Sequence, residues 1–193
     1  MSKETLPLLR KGKIVFKGKT AGGIPYLIRY PKRTDLQELW RYINELSKEK
    51  TYISLQGEEM SLKEEREFLN KTLKRIKEKE GVALVVESNG KIIGISDVNR
   101  RERAERHTGV FGITLAKEFR GKGIGRKLME LVMEEARQNL RSIKIIRLVC
   151  FADNKTACKL YQSLGFKEYG KLPGGILYRG EPTDEILMYC ELR

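Results

Sequence analysis

Ile113-Thr114-Leu115-Ala116-Lys117-Glu118-Phe119-Arg120-Gly121-Lys122-Gly123-Ile124-Gly125-Arg126-Lys127 decides how the rest of the chain is read. The segment reads as a strand, a short connection, a glycine-rich turn and the start of a helix. Glycines at every second position let the backbone take positive φ and let a ligand approach closely. Successive N–H groups there form a concave nest at a helix N-terminus, where free amides and the macrodipole favour an anion. Arg120, Lys122, Arg126 and Lys127 add positive charge, so the segment reads as a cradle for phosphate or pyrophosphate. A Walker loop fails on spacing, because Arg126 stands where its second glycine is required. A dinucleotide fingerprint fails at the same residue.

Working outward, Thr108–Leu115 precedes the turn as a strand, and Gly123–Leu140 follows it as a helix with Leu128, Leu131, Val132 and Ala136 inward. Upstream, Val82–Glu87 and Lys91–Val98 flank Ser88-Asn89-Gly90, a strong hairpin signal. Two helices come before that. One is capped by Thr34 or Asp35 and runs to about Lys48. The other opens at Ser61 with Glu64 as a capping box and stops at Gly81. Ile24–Tyr30 is the first strand of the main domain. Residues 1–23 read as an N-terminal extension, with Lys11–Lys19 able to form an edge strand. Downstream come a buried strand Lys144–Phe151, a helix Asn154–Leu164 ended by Gly165, and strands Phe166–Lys171 and Glu185–Glu191. The order β-α-α-β-β-β-α-β-α-β-β predicts a mixed α/β (α+β) domain over residues 24–193, built around one sheet.

Asn154, Ala157 and Tyr161 fall on one stripe of their helix. A small alanine between an amide and a phenol leaves room for a long, thin, partly polar ligand. Asn154 also suits a plain N-cap. Here the chain resembles a known family. Arg120-x-x-Gly123-x-Gly125 looks like the acyl-CoA pyrophosphate signature of the GNAT superfamily of N-acetyltransferases. Asn154-x-x-Ala157-x-x-Leu160-Tyr161-x-x-x-Gly165-Phe166 looks like that family's second cofactor motif. The two stand in the expected order, and the resemblance covers roughly the whole main domain.

The resemblance implies a central, mixed, mostly antiparallel twisted sheet of about seven strands with four helices. It implies acetyl-CoA as cosubstrate and a primary amine as acceptor: a small-molecule amine, an amino acid, a polyamine or a protein N-terminus. Backbone groups of Ile113, Thr114 and Leu115 would hold the pantetheine arm and the acyl carbonyl. Arg120, Gly121, Lys122, Gly123, Ile124, Gly125 and Arg126 would hold the pyrophosphate, with Asn154, Ala157 and Tyr161 along the arm. Tyr161 would be the general acid for the leaving thiolate. The general base carries no motif. Glu87 and Asp97 at strand ends are candidates, and so is His107, whose ordinary pKa suits the task. Asp184 and Glu185, or Glu58 and Glu59, can instead meet a cationic acceptor. The resemblance is also consistent with a homodimer.

Composition sets the outer limits. The 193 residues carry 39 Lys and Arg against 26 Asp and Glu, a formal net charge of +13, which favours an anionic partner. A nucleic-acid- or ribosome-associated protein is therefore the alternative, together with a non-catalytic CoA-binding domain. Arg10–Lys19, Arg100–Arg106 and Arg141–Arg147 are basic but, apart from Phe16, lack the interleaved aromatics of a base-stacking surface. No apolar run approaches bilayer-spanning length, and the first residues lack a secretory pattern, so a cytoplasmic protein is expected. Cys150, Cys158 and Cys190 form no metal-binding spacing and no even disulfide framework. Cys150 and Cys158 read as buried packing residues. One histidine argues against a His-metal site, and no metal is expected.

Overall fold

The computed structural model describes residues 12–192. Among the described residues eight strands form one sheet in the order β1-β2-β3-β4-β5-β6-β8-β7. They are β1 (Ile14–Lys19), β2 (Pro25–Arg29), β3 (Gly81–Ser88), β4 (Lys91–Arg100), β5 (Thr108–Leu115), β6 (Ile145–Phe151), β7 (Lys167–Tyr178) and β8 (Glu181–Glu191). The same described residues hold four α-helices: α1 (Leu36–Lys48), α2 (Leu62–Lys77), α3 (Ile124–Asn139) and α4 (Lys155–Ser163). Every strand pair is antiparallel except β5 with β6. The expected count of about seven becomes eight because Ile14–Lys19 pairs with β2 and extends the sheet. Lys11, expected at the start of that strand, lies outside the described residues.

Both faces of the sheet centre are covered, so β3 reads GVALVVES, an almost unbroken apolar run rather than an alternation. Val82, Leu84 and Val86 join Ile124, Leu128, Met129, Val132 and Ala136 of α3 in one core. Val85 and Ile92 join Leu39, Tyr42 and Leu46 of α1 and Leu69 and Leu73 of α2 in the other.

Local signals explain most element ends. Glu64 N–H donates to Ser61 Oγ at 3.2 Å while Ser61 N–H donates to Glu64 Oε2 at 2.8 Å, so the capping box at α2 is present. Asn89 (φ 50) and Gly90 (φ 75) make the β3–β4 turn with positive φ at both central residues. Two expectations are corrected. Helix α2 ends at Lys77, and Lys79 just beyond it takes the positive φ of 56, while Gly81 opens β3. Asp35 precedes α1 but makes no side-chain cap bond. Its carboxylate instead accepts both Arg29 terminal nitrogens at 2.8 Å, and Arg29 Nε donates to Glu87 Oε2 at 2.8 Å. This buried cluster ties β2, the start of α1 and β3 together.

Strands β7 and β8 are longer than the sequence suggests, meeting at a tip of Arg179 and Gly180. Pro173-Gly174-Gly175 has the residue types of a loop, yet the register shift between Leu172 and Ile176 absorbs it as a bulge within β7. Strand β7 is at the sheet edge, where a proline without an N–H is tolerated.

Candidate active site

The site begins with a parallel pairing that stops early. β5 and β6 pair at Thr108↔Ile145, Gly109↔Ile146 and Val110↔Arg147, and nowhere beyond. From Phe111 to Leu115 and from Leu148 to Phe151 the strands part. Ala116 N–H donates to Ile93 O, which sets the parity of the β4–β5 ladder. By that parity Thr114 and Gly112 turn their amides to β4, while the N–H and C=O of Ile113 face the gap. An extended ligand entering the gap would find strand-like backbone partners there.

The glycine turn stands at the end of β5. Gly121 (φ 71) and Gly123 (φ 81) adopt positive φ, and Gly123 caps α3 without a side-chain bond. A Cβ added at Gly121, Gly123 or Gly125 would meet no atom within 4 Å, so the concave side of the turn is open. The cations are less uniform than the sequence implies. Arg120 leans away from the turn: its Nε donates to Leu115 O at 2.7 Å and its terminal nitrogen to Glu49 at 2.6 Å. It therefore joins the turn to the end of α1. Arg126 donates to Ser163 Oγ at 2.7 Å and ties α3 to α4. Lys122 lies over the Phe119 ring and Lys127 over the Phe16 ring of β1.

Helix α4 flanks the other side of the gap. Asn154 Oδ1 accepts Ala157 N–H at 3.1 Å, a cap bond. Tyr161 is 8% exposed and packs edge-on against Phe111, with Phe166 beside both. Among the described residues its hydroxyl has no hydrogen-bond partner. Burial, with the thiols of Cys150 and Cys158 nearby, pushes that hydroxyl well above its ordinary pKa. It therefore keeps its proton at any physiological pH.

The candidate bases separate. Glu87 of β3, two strands from β5, is held by the buried Arg29 of β2. His107 is exposed at the closed end of the β5–β6 pair, where its C=O accepts Lys144 N–H, so it is away from the gap. Asp97 pairs with Gly112 of β5. Its Oδ1 lies 3.0 Å from where a Gly112 Cβ would be, so the missing side chain leaves the carboxylate room beside β5. Burial raises its pKa to about 6, opposed by a hydrogen bond from Asn99. Phe111 belongs to the core on the α3 side, whereas Asp97 feels Arg75 of α2. Tyr161 and Asp97 thus flank β5 from opposite faces of the sheet. Asp184 is engaged with Lys171 and with Gly174 N–H, and Glu58 with Gln56 N–H.

Several residues have no motif to announce them. Tyr42 of α1 is buried and donates its hydroxyl to Thr114 Oγ1 at 2.9 Å, fixing β5 beside the gap. Tyr52, after α1, stacks on Tyr178 of β7 with ring centroids 4.5 Å apart, and Phe151 of β6 meets both edge-on. Arg179 N–H donates to Gln56 Oε1 at 3.1 Å, and Arg179 Nε to Lys50 O at 3.3 Å. The segment between α1 and α2 is thereby fastened to the β7–β8 tip. Tyr178 and Arg179 lie outside the strands expected from sequence, and no local pattern marks them. Among the described residues no group of three or more His, Cys, Asp and Glu side chains could hold a metal.

Residues 39–166 match the sequence profile of the Acetyltransferase (GNAT) family. An uncharacterized N-acetyltransferase, MJ1207 of Methanocaldococcus jannaschii, is 37% identical over 92 residues, 44% of this chain but only 38% of that protein's length. The L-amino acid N-acetyltransferase AaaT of Escherichia coli is 29% identical over 59% of this chain and 71% of its own. Among solved structures, a GNAT-family acetyltransferase from Streptococcus pneumoniae superposes with a TM-score of 0.78 at 30% identity, covering 86% of this chain and 98% of that one. Spermidine N-acetyltransferase from Vibrio cholerae, solved with CoA and spermine, gives 0.71 at 26% identity, covering 86% and 95%.

Proposed function

Because this chain belongs to the GNAT acetyltransferase family, we propose that it transfers the acetyl group of acetyl-CoA to a primary amine by direct attack, with both substrates bound together. The observation that carries this reading is the gap between β5 and β6, with the Ile113 backbone facing it and the open glycine turn at its mouth. The residues present fit the cosubstrate. Amides of Gly121 to Gly125 and the α3 N-terminus would receive the pyrophosphate. The stripe of Asn154, Ala157 and Tyr161 would flank the pantetheine arm. The bound thioester supplies an activated acyl carbon and a thiol leaving group.

The chain's own groups then have separable tasks. The Ile113 N–H, already aimed into the gap, stabilises charge developing on the acyl oxygen, a contribution of about 100-fold for one such donor. Tyr161, protonated and unpartnered, gives its proton to the departing sulfur from the α4 side. Asp97, ionised above pH of about 6, removes a proton from the amine on the opposite face. The amine enters beside the α1–α2 segment, under the Tyr52–Tyr178 bridge. No covalent bond to the protein is required, which leaves the cysteines out of the reaction.

A primary amine is the acceptor class. The AaaT relative is named for L-amino acids and the Vibrio neighbour for spermidine. The test is calorimetry with CoA followed by thiol release from acetyl-CoA over a panel of amino acids, polyamines and short peptides. The expected result is saturable CoA binding and turnover with at least one class. Absence of CoA binding at millimolar concentration would reject the proposal.

A further inference from the structure

Cys150 and Cys158 have no task in the chemistry above, yet they are not independent packing residues. Cys150 is buried near the end of β6, and Cys158 is half-buried in the second turn of α4. Their sulfurs are 2.8 Å apart. Both sit near one carbonyl: Phe151 O is 3.4 Å from the Cys150 sulfur and 3.7 Å from that of Cys158. The intervening turn is short and internally bonded, with Asn154 N–H on Phe151 O and Cys158 N–H on Asn154 O. Two thiols on different elements are thus held face to face by the main chain on both sides. A disulfide needs sulfurs about 2.05 Å apart, which a small shift of α4 supplies. Cys190 makes a natural control. It pairs in register with Ile146, four residues along β6 from Cys150, so roughly 13 Å of strand separates them.

We propose that Cys150 and Cys158 form a reversible disulfide that locks α4 to β6. The half-exposed Cys158 meets the oxidant first. Its thiolate attacks a low-molecular-weight disulfide such as oxidised glutathione, forming a mixed disulfide and releasing one glutathione thiol. Cys150, whose thiol burial holds well above its ordinary pKa, then attacks the Cys158 sulfur as the second glutathione leaves and takes up its proton. In sum two S–H bonds break, one S–S bond forms, and two electrons and two protons pass to the reagent, which leaves as two thiols. A dithiol reverses the step.

The site lies in the helix that carries Tyr161 and Asn154. Tyr161 follows Cys158 by three residues and shares its helix face. Closing the sulfurs draws that turn toward β6 and displaces the Tyr161 hydroxyl from the gap. Misplacement of a reacting group by a fraction of an ångström to 1 Å lowers rates by up to about 100-fold. The oxidised form is therefore the slower one. This consequence for turnover rests on the transferase proposal, whereas the disulfide does not.

The whole protein is reduced, freed of reductant, incubated with oxidised glutathione, and then denatured and alkylated. Titratable thiols should fall from the three in the sequence to one. Intact mass should fall by two hydrogens with no glutathione retained, and the Cys190 peptide should still be alkylated. Cys158→Ala should lose no thiol pair. Three alkylated thiols, a stable glutathione adduct on Cys158 or a bond to Cys190 would overturn the site. With the disulfide confirmed, turnover should fall at least several-fold and return with dithiothreitol, while Cys158→Ala stays insensitive to the reagent. Equal turnover of both forms would overturn the link to Tyr161. No turnover even in the reduced protein would instead reject the transferase proposal and leave the thiol count standing.

Discussion

Tyr161 and Asp97, the proposed acid and base, illustrate how one fold can set two titrating groups apart. Tyr161 is apolar-walled and has no hydrogen-bond partner among the described residues, so it holds its proton. Replacing it with phenylalanine keeps the packing against Phe111 and removes only the hydroxyl. Turnover should fall by about 100-fold or more while CoA affinity stays within twofold, as calorimetry and steady-state rates together would reveal. Asp97 is desolvated, and its pKa rises to about 6. A base must be ionised, so kcat/KM should climb as pH rises through that value and then level. In Asp97→Asn the climb near pH 6 should vanish. The same shift has a stability side. The folded state favours the protonated form, so Asp97 weakens the fold as pH rises from the ordinary carboxylate value through about 6.

At the scale of elements, the glycine turn shows why backbone conformation matters more than side-chain chemistry there. Gly123 takes φ 81 with nothing in contact at its Cβ position. Gly123→Val strains the turn at a φ that β-branched residues avoid, and it places methyl groups where a ligand would approach. CoA affinity should drop at least tenfold, and urea unfolding should show a loss of about 1–3 kcal/mol. What was legible in the sequence follows a similar division. The glycine turn, the Ser61 box, the Asn89-Gly90 hairpin and the Asn154 cap are local, and each appears in the structure where its spacing puts it. The β7–β8 length was not legible, because a proline at a sheet edge is harmless only once the edge is known. Asp35 looked like a cap because its partner Arg29 is across the β2–α1 connection. Asp97 could not be separated from Glu87 until the strand order put one beside β5 and the other beside Arg29. Arg120 was legible as a cation, but its attachment to Glu49 is a long-range contact that no local pattern encodes.

For the whole molecule, the sheet consists of two parts, β1 to β5 and β6-β8-β7, joined by three parallel pairs at one end. At the other end they are held by the Tyr52–Tyr178–Phe151 cluster and Arg179. Tyr178→Ala removes the stack and frees the α1–α2 segment. The KM for the amine should rise several-fold while CoA affinity is unchanged, because the cluster borders the proposed amine entrance and not the glycine turn. The high positive charge is partly answered within the fold. Arg100 pairs with Glu80, Arg101 and Arg147 share Glu105, and Arg137 pairs with Glu134. The basic stretch Arg100–Arg106 is therefore internally compensated in part, which weakens it as a polyanion surface.

A sheet missing one rung has a thermal signature. The backbone of Ile113, which β6 does not pair in register, suits an incoming strand-like ligand, and one that hydrogen-bonds there would knit the two halves into a continuous whole. Melting temperature should then climb with CoA concentration, since a ligand that binds only the folded state stabilises it by RT ln(1 + [L]/Kd). Amide exchange at Ile113 should slow in step, recording from within the protein the arrival of the piece that completes it.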